Sequence, residues 1–254
     1  METLLDEINQ KDISIFSITD HDSIESVKLM ETKELKSGQI FIPGVEISST
    51  LDKKEYHINA YKFKTEDEEL TALLKYNKNV REKFNKQIIE FFEENHGTKL
   101  LYEYNKYRNQ KSRGGWKSLN FLIDKKLVND LEDFFNKISN MKEEMTFLNP
   151  EKVIDIIHQA GGFAFLAHPA SYYNGELLDK SFLKDWLAMG IDGIEAYSPY
   201  LNKMKDAQYY IEFCKENDLM YSSGSDCHGD FIEERKIGKP VVYLDDLNID
   251  KLIE

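Results

Sequence analysis

The chain has 254 residues, of which 41% are hydrophobic, 31% charged and 12% aromatic. That is the make-up of one large α/β domain or two small ones, not of a disordered chain. Its net charge of −13 excludes a basic protein that grips duplex nucleic acid, but not a local site that draws an anion to metal ions.

Two cysteines, Cys214 and Cys227, cannot make a disulfide framework and point to a reducing, cytoplasmic setting. No run approaches the roughly 18 apolar residues of a membrane helix. The first ten residues are acidic and amphipathic, a helix and not a signal peptide. Ile13–Ile18 is a β-branched strand ending in Thr19-Asp20-His21-Asp22. Asp22 or Ser23 is placed to cap a helix from Ile24 to about Lys36, stopped at Gly38. Short strands Ile40–Ile42 and Val45–Ile47 flank a Pro43-Gly44 turn, and Glu55–Phe63 alternates so that His57, Asn59 and Tyr61 share a face. From about Thr65 the text turns helical: Leu73, Tyr76, Val80, Phe84, Ile88 and Phe91 form one stripe, and Trp116–Ile138 carries a second. Residues 65–148 therefore read as a helical insertion, placed to cap the strand ends and select substrate size, between barrel parts 1–64 and 149–254. Alternation resumes with helix Glu151–Gln159, strand Phe163–Ala167 into His168-Pro169, helix Phe182–Met189 and strand Gly193–Tyr197. Helix Asn202–Asn217, strand Leu219–Ser222, the segment Gly224-Ser225-Asp226-Cys227-His228 and a last strand Val241–Tyr243 complete the chain. Repeated β-loop-α units predict a parallel sheet, open or closed into a barrel.

The polar residues collect where strands end. Asp20 and His21, His168, and Asp226 with His228 follow strands, Glu46 lies on or just after one and His57 lies within the third, taking four of the six histidines. Active sites of parallel α/β folds assemble at carboxyl ends of strands. Imidazole and carboxylate together suit zinc, manganese or iron, and a divalent ion could supply the positive charge that phosphate-ester hydrolysis needs on an acidic protein. Each signal alone has a plain reading: Asp20-His21-Asp22 as a helix cap, His168-Pro169 as a loop, Ser225–His228 as a polar turn. Glu46 is more pointed, because a carboxylate in an apolar strand needs a partner to offset its burial. Their common placement favours a metal site. His96 reads as a helix end, His158 as a core or surface histidine, and Cys227 as filler. A serine-nucleophile triad from Ser225, Asp226 and His228 is disfavoured, since such close neighbours seldom converge.

These segments resemble the PHP family, the polymerase and histidinol phosphatase metal-dependent phosphoesterases. The resemblance is carried in order by Ile18-Thr19-Asp20-His21-Asp22, Ile42-Pro43-Gly44-Val45-Glu46-Ile47-Ser48, Tyr56–Tyr61, Leu166-Ala167-His168-Pro169, Gly193–Ser198 and Gly224–His228. It implies a distorted seven-stranded TIM-like barrel with up to three divalent ions (Mn, Zn or Fe), nearest to the stand-alone branch acting on nucleotide phosphates or 5′ ends of short RNA. On this reading Glu46 bridges two ions, and His57 and His168 complete the second. Asp226 serves the first, and His21 and His228 hold the third. Asp20 and Asp226 join His228 as catalytic residues, with His228 or a water protonating the leaving group. Gly44 and Gly224 let the backbone turn beside the ions.

Two departures qualify the resemblance. The family's opening His-x-His strand and following acidic residue have no counterpart, so the chain as written is expected to bind fewer than three ions, with activity weak or absent. It is read as a truncated reading frame or an internal start. An unpaired edge at Ile13–Ile18 would then favour self-association. In the insertion, Arg113-Gly114-Gly115-Trp116 stands where relatives carry a histidine, leaving Arg113 as the candidate phosphate contact. The expected partner is a small phosphorylated substrate, a nucleotide or short RNA. Two alternatives are a catalytically degenerate barrel kept as a binding or regulatory module and, less favoured, an amidohydrolase.

Overall fold

A computed structural model describes residues 1–254 except 98, 111–112, 230–231 and 233–234. Among the described residues the β-branched and aromatic runs form β1 (Ile15–Ile18), β2 (Ile40–Leu51), β3 (Lys54–Tyr61), β4 (Phe163–Leu166), β5 (Gly193–Tyr197) and β6 (Met220–Ser223). They lie in chain order in one curled, half-barrel sheet. The helices, in chain order, are α1 (Glu2–Gln10), α2 (Glu25–Met30), α3 (Glu68–His96), α4 (Leu100–Lys106), α5 (Lys117–Asp124) and α6 (Leu131–Ile138). The chain continues through α7 (Pro150–Gln159), α8 (Lys180–Ala188), α9 (Ala207–Glu216) and α10 (Asp250–Ile253). No described helix is long and apolar enough to cross a membrane.

The sheet is mixed, which corrects the expectation of a parallel one. β1 with β2, β4 with β5 and β5 with β6 run parallel, whereas β3 is antiparallel to both β2 and β4. The cause is the connection between β2 and β3: only Asp52 and Lys53 join them, both with positive φ (49° and 66°). Two such residues make a tight hairpin turn and leave no length for a parallel crossover. Nor is Pro43-Gly44 a turn. β2 runs straight through it, with Pro43 opposite Ile18 and its carbonyl accepting from the Lys62 amide at 2.9 Å.

Other expectations are corrected at element ends. Val241–Tyr243 is not a strand: Val241 and Tyr243 are each 71% exposed. The Tyr243 amide instead donates to the Asp246 carboxylate at 3.4 Å, in a tight turn, and the antiparallel bridge to Tyr221 is made by Asn248. Asp22 does not cap α2, because its carboxylate accepts from the Ser48 amide and hydroxyl at 3.1 and 3.2 Å and from the Asn77 amide at 2.8 Å. The run expected as one helix over 116–138 divides into α5 and α6, where Lys126 has φ 57° and the Asp130 side chain caps α6 by accepting from the Asp133 amide at 2.8 Å.

Strand alternation gives the sheet two unlike faces. Val45 and Ile47 of β2, Ile58 and Ala60 of β3, Ala164 and Leu166 of β4, and Ile194 and Ala196 of β5 face the main core. There they meet Val153, Ile154 and Ile157 of α7, Leu183 and Trp186 of α8, and Tyr210, Phe213 and Cys214 of α9. The alternate positions point the other way. Ile42, Tyr61, Phe165 and Met220 pack there with Ile249 and Leu252, and by the same period Glu46, His57, Asn59, Glu195 and Ser222 share that side.

The chain divides into two compact units: residues 1–77, 147–227 and 234–254 in one, and 78–146 with 228–233 in the other. The first holds the sheet. The second has its own core of Ile88, Ile89, Phe92, Phe121, Leu122 and Phe134.

Candidate metal centre

The centre is built on β2 and β3. Beyond β1 the chain keeps bonding to β2: the Glu46 amide donates to the Asp20 carbonyl at 3.3 Å, and the Asp22 amide donates to the Glu46 carbonyl at 2.8 Å. This makes a parallel bridge between His21 and Glu46 and brings the His21 Nε2 to 3.7 Å from Glu46 Oε2. In the hairpin Ser48 pairs with His57 and Glu46 with Asn59, so the two side chains on the polar face lie one step apart diagonally. His57 Nδ1 reaches Glu46 Oε1 at 2.8 Å. His168, just past β4, brings its Nε2 to the same oxygen at 2.8 Å and to 3.2 Å from His57 Nδ1.

Each imidazole is held from behind. His57 Nε2 lies 3.0 Å from Glu55 Oε1, and His168 Nδ1 lies 2.8 Å from Ser171 Oγ; such partners fix ring orientation and tautomer. His168 and Asp226 both have positive φ (29° and 43°), a conformation that costs non-glycine residues about 1 kcal/mol or more and that gathers at functional sites. Besides Glu46, His57 and His168, two groups among the described residues offer ligand atoms mutually within 4.8 Å: His21, Glu46 and His57, and Glu46, His168 and Asp226. Glu46 is common to both.

Burial works against charge at Glu46, yet His21 and His57 nearby and bonds to His168 and His57 hold its carboxyl well below the usual range. Burial pushes the His57 imidazole down, but Glu46 and then Glu55 lift it to about 10. Glu195, on the same face, is pushed well above the ordinary carboxyl range by burial and by Asp226 and Glu46, against bonds from the His168 amide and Asn59. Its Oε2 accepts from Asn59 Nδ2 at 3.0 Å, and its Oε1 is buried with no hydrogen-bond partner among the described residues.

The donor set fits a divalent ion. Ligands about 2.1 Å from a tetrahedral ion stand roughly 3.4 Å from one another, close to the 2.8, 2.8 and 3.2 Å separations of Glu46, His57 and His168. A face that gathers the carboxyls of Glu46, Asp226 and Glu195 also calls for a cation.

No protein-family model matches the chain. It is 29% identical over 229 residues to a 5′-3′ exoribonuclease of Haemophilus influenzae, covering 85% of this chain and 80% of that one. It is also 29% identical over 130 residues to a 3′,5′-nucleoside bisphosphate phosphatase of Chromobacterium violaceum, covering 46% of this chain and 42% of the relative. These relatives support the resemblance to the PHP metal-dependent phosphoesterases. Among solved structures it is similar to a metal-dependent phosphoesterase from Bifidobacterium adolescentis, at TM-score 0.71 and 19% identity over 99% of this chain and 87% of that one. An amidohydrolase from Chromobacterium violaceum, solved with sulfate and no metal, superposes at TM-score 0.73 and 21% identity over 96% and 83%. These two likenesses concern the fold.

The other sequence-predicted residues lie as follows. Asp20 is exposed, its carboxylate accepting from the Ser26 hydroxyl. His228 is half-buried, groups with the second unit and belongs to neither ligand group. Arg113, also in the second unit, places its Nη1 2.6 Å from Asp124 Oδ1. The glycines act by space and not by turning, which is a correction. A Cβ on Gly44 would fall 2.1 Å from Ser17 Oγ, and one on Gly224 would fall 2.4 Å from Glu195 Oε2; neither glycine has a positive φ.

Three residues of this face escaped the sequence reading. Glu195 is a carboxylate in an apolar strand, the same signal that singled out Glu46. Tyr200 donates its hydroxyl to Asp226 Oδ2, and Arg235 brings Nη1 to the same oxygen at 2.8 Å; nothing in the local sequence marks either.

Proposed function

We propose that this phosphoesterase hydrolyses phosphate esters of nucleotides or short oligonucleotides at the centre built on Glu46. The observation that carries the reading is one carboxylate oxygen shared at 2.8 Å by two histidine nitrogens, each oriented from behind. Glu46, His57 and His168 would hold one divalent ion, with His21 and Asp226 offering ligands in the adjoining groups. Manganese, zinc or iron suits this mixture of nitrogen and oxygen donors. Such an ion, when bound, supplies a Lewis acid and a water of lowered pKa.

The chain's own residues do the rest. Glu55 and Ser171 keep the two imidazole faces aimed at Glu46, and Glu195 holds the His168 amide. His228, two residues beyond Asp226, is the proton donor to the leaving oxygen, Asp20 supports His21 from the adjacent position, and Arg113 is a phosphate contact. Supporting the substrate class are relatives named for exoribonuclease and nucleoside bisphosphate phosphatase activity.

Residues 65–148 form an insertion in a barrel of seven strands, and the edge of β1, which pairs only with β2 among the described strands, accepts either the seventh strand or a second copy. The setting is cytoplasmic, in keeping with two free cysteines.

The test strips the protein with a chelator and reloads it with Mn²⁺, Zn²⁺ or Fe²⁺. Release of phosphate from a 3′,5′-bisphosphonucleotide and of nucleotides from a 5′-phosphorylated short RNA is then measured. Turnover of at least one is expected, with Glu46→Ala lowering it by about a hundredfold or more, beyond the loss of an outer contact. No turnover of either with any of the three metals would sink the substrate assignment.

A further inference from the structure

We infer that Arg235 is a phosphate-binding residue that rests on Asp226 and passes to a phosphoryl group when a divalent cation takes that carboxylate. The inference rests on the metal-centre reading above. Arg235 Nη1 lies 2.8 Å from Asp226 Oδ2, the oxygen that also accepts from the Tyr200 hydroxyl. The Asp226 side chain is only 8% exposed, and its ligand atom lies within 4.8 Å of those of Glu46 and His168. The guanidinium therefore stands at the border of the centre, joined to it through one carboxylate.

That position has two consequences. An ion drawn to Asp226 competes with the guanidinium for the same carboxylate, since both are cations seeking one charge. Once displaced, the guanidinium is not lost to solvent, because its carbon lies 4.4 Å above the Tyr200 ring, and stacking holds a planar cation over an aromatic face. The Tyr200 ring in turn lies 5.5 Å from that of His168, so the parked cation stays beside the ligands. A guanidinium carries five donors in a fixed fork that matches two oxygens of a phosphoryl group. In a chain of net charge −13, a stacked arginine deprived of its carboxylate is suited to anchor a dianionic phosphate monoester next to the ions.

The experiment measures Mn²⁺ binding by equilibrium dialysis, without and with inorganic phosphate, in wild type, Arg235→Gln and Arg235→Lys. Near-UV circular dichroism checks that each variant is folded, and the lysine variant carries the comparison where glutamine fails to fold. Removing the competing cation is expected to tighten Mn²⁺ binding several-fold in the absence of phosphate. The same change is expected to weaken inorganic phosphate binding to the Mn²⁺-loaded protein about tenfold, with Arg235→Lys between. Weaker Mn²⁺ binding in Arg235→Gln would overturn the inference by showing that the arginine only orients Asp226. Unchanged phosphate affinity would overturn it as well. Failure of the folded wild type to bind Mn²⁺ at all would bring down the metal-centre reading and the inference together, whereas normal wild-type binding with a silent Arg235→Gln rejects the inference alone.

Discussion

Glu46 and His57 face each other at 2.8 Å in a buried setting, so the proton between them is part of the folded protein's electrostatics. Against burial, the neighbouring histidines keep the Glu46 carboxyl well below its ordinary 4.5. Such a depressed acid lends stability above the unfolded value, lost as pH falls through the folded one. His57 runs the opposite way: raised from 6.5 to about 10, it lends stability that is fully present below 6.5 and fades as pH climbs toward about 10. The pair therefore contributes most between these two ordinary values, about pH 4.5 to 6.5. Chelator-treated protein is expected to show urea midpoints that decline from pH 6.5 toward 10. Midpoints that rise over that range would refute the assignment of the proton. The same residues explain what could be read in advance. A carboxylate inside an apolar strand announces a need for partners, and histidines after β-branched runs announce where those partners stand. Arg235 gives no such sign, because a guanidinium in the charge-rich tail after His228 looks like any solvated cation until the chain's return path is known.

At the scale of elements, the site strands are braced from behind by α7, which packs on β2, β3 and β4. Its start is fixed by Asn149, whose side chain accepts from the Lys152 amide at 2.9 Å, followed by Pro150 in the first turn. Asn149→Ala leaves that amide without its cap and is expected to cost about 1 kcal/mol, read as a lower urea midpoint with an unchanged slope. No change in midpoint would show that packing alone sets the helix start. Signals of this kind explain which elements were legible. Cores of strands and helices follow from side-chain period, so β5 came out residue for residue. Pro43-Gly44 looked like a turn because local chemistry says so, yet pairing to β1 on one side and β3 on the other overrides it. Asp52-Lys53 lacks the glycine or asparagine that usually marks a tight hairpin, and missing it cost the two antiparallel pairings of β3. Asp22 was well placed for a cap by sequence, but buried Ser48 and Asn77 compete for its carboxylate and win.

For the whole molecule, the edge of β1, which pairs only with β2 among the described strands, and the net charge of −13 pull in opposite directions. An unpaired edge invites a second copy, whereas like-charged copies repel at long range. Salt screens that repulsion within about 10 Å at 0.1 M, so sedimentation velocity is expected to show more dimer at 0.5 M than at 0.02 M sodium chloride. A monomer at both strengths and at high protein concentration would rule out edge pairing. The hairpin has a consequence in time. Glu46 and His57 are brought together by a closure of a few residues around Asp52-Lys53, whereas His168 must be delivered across the whole 78–146 unit and Asp226 later still. Short closures form early and long ones late in folding. Half of the proposed ligand set is thus assembled by a local event that needs no ion, and the other half arrives only with the native topology. An ion that requires both halves can reward only the finished state, acting as a brake on unfolding and not as a guide to folding.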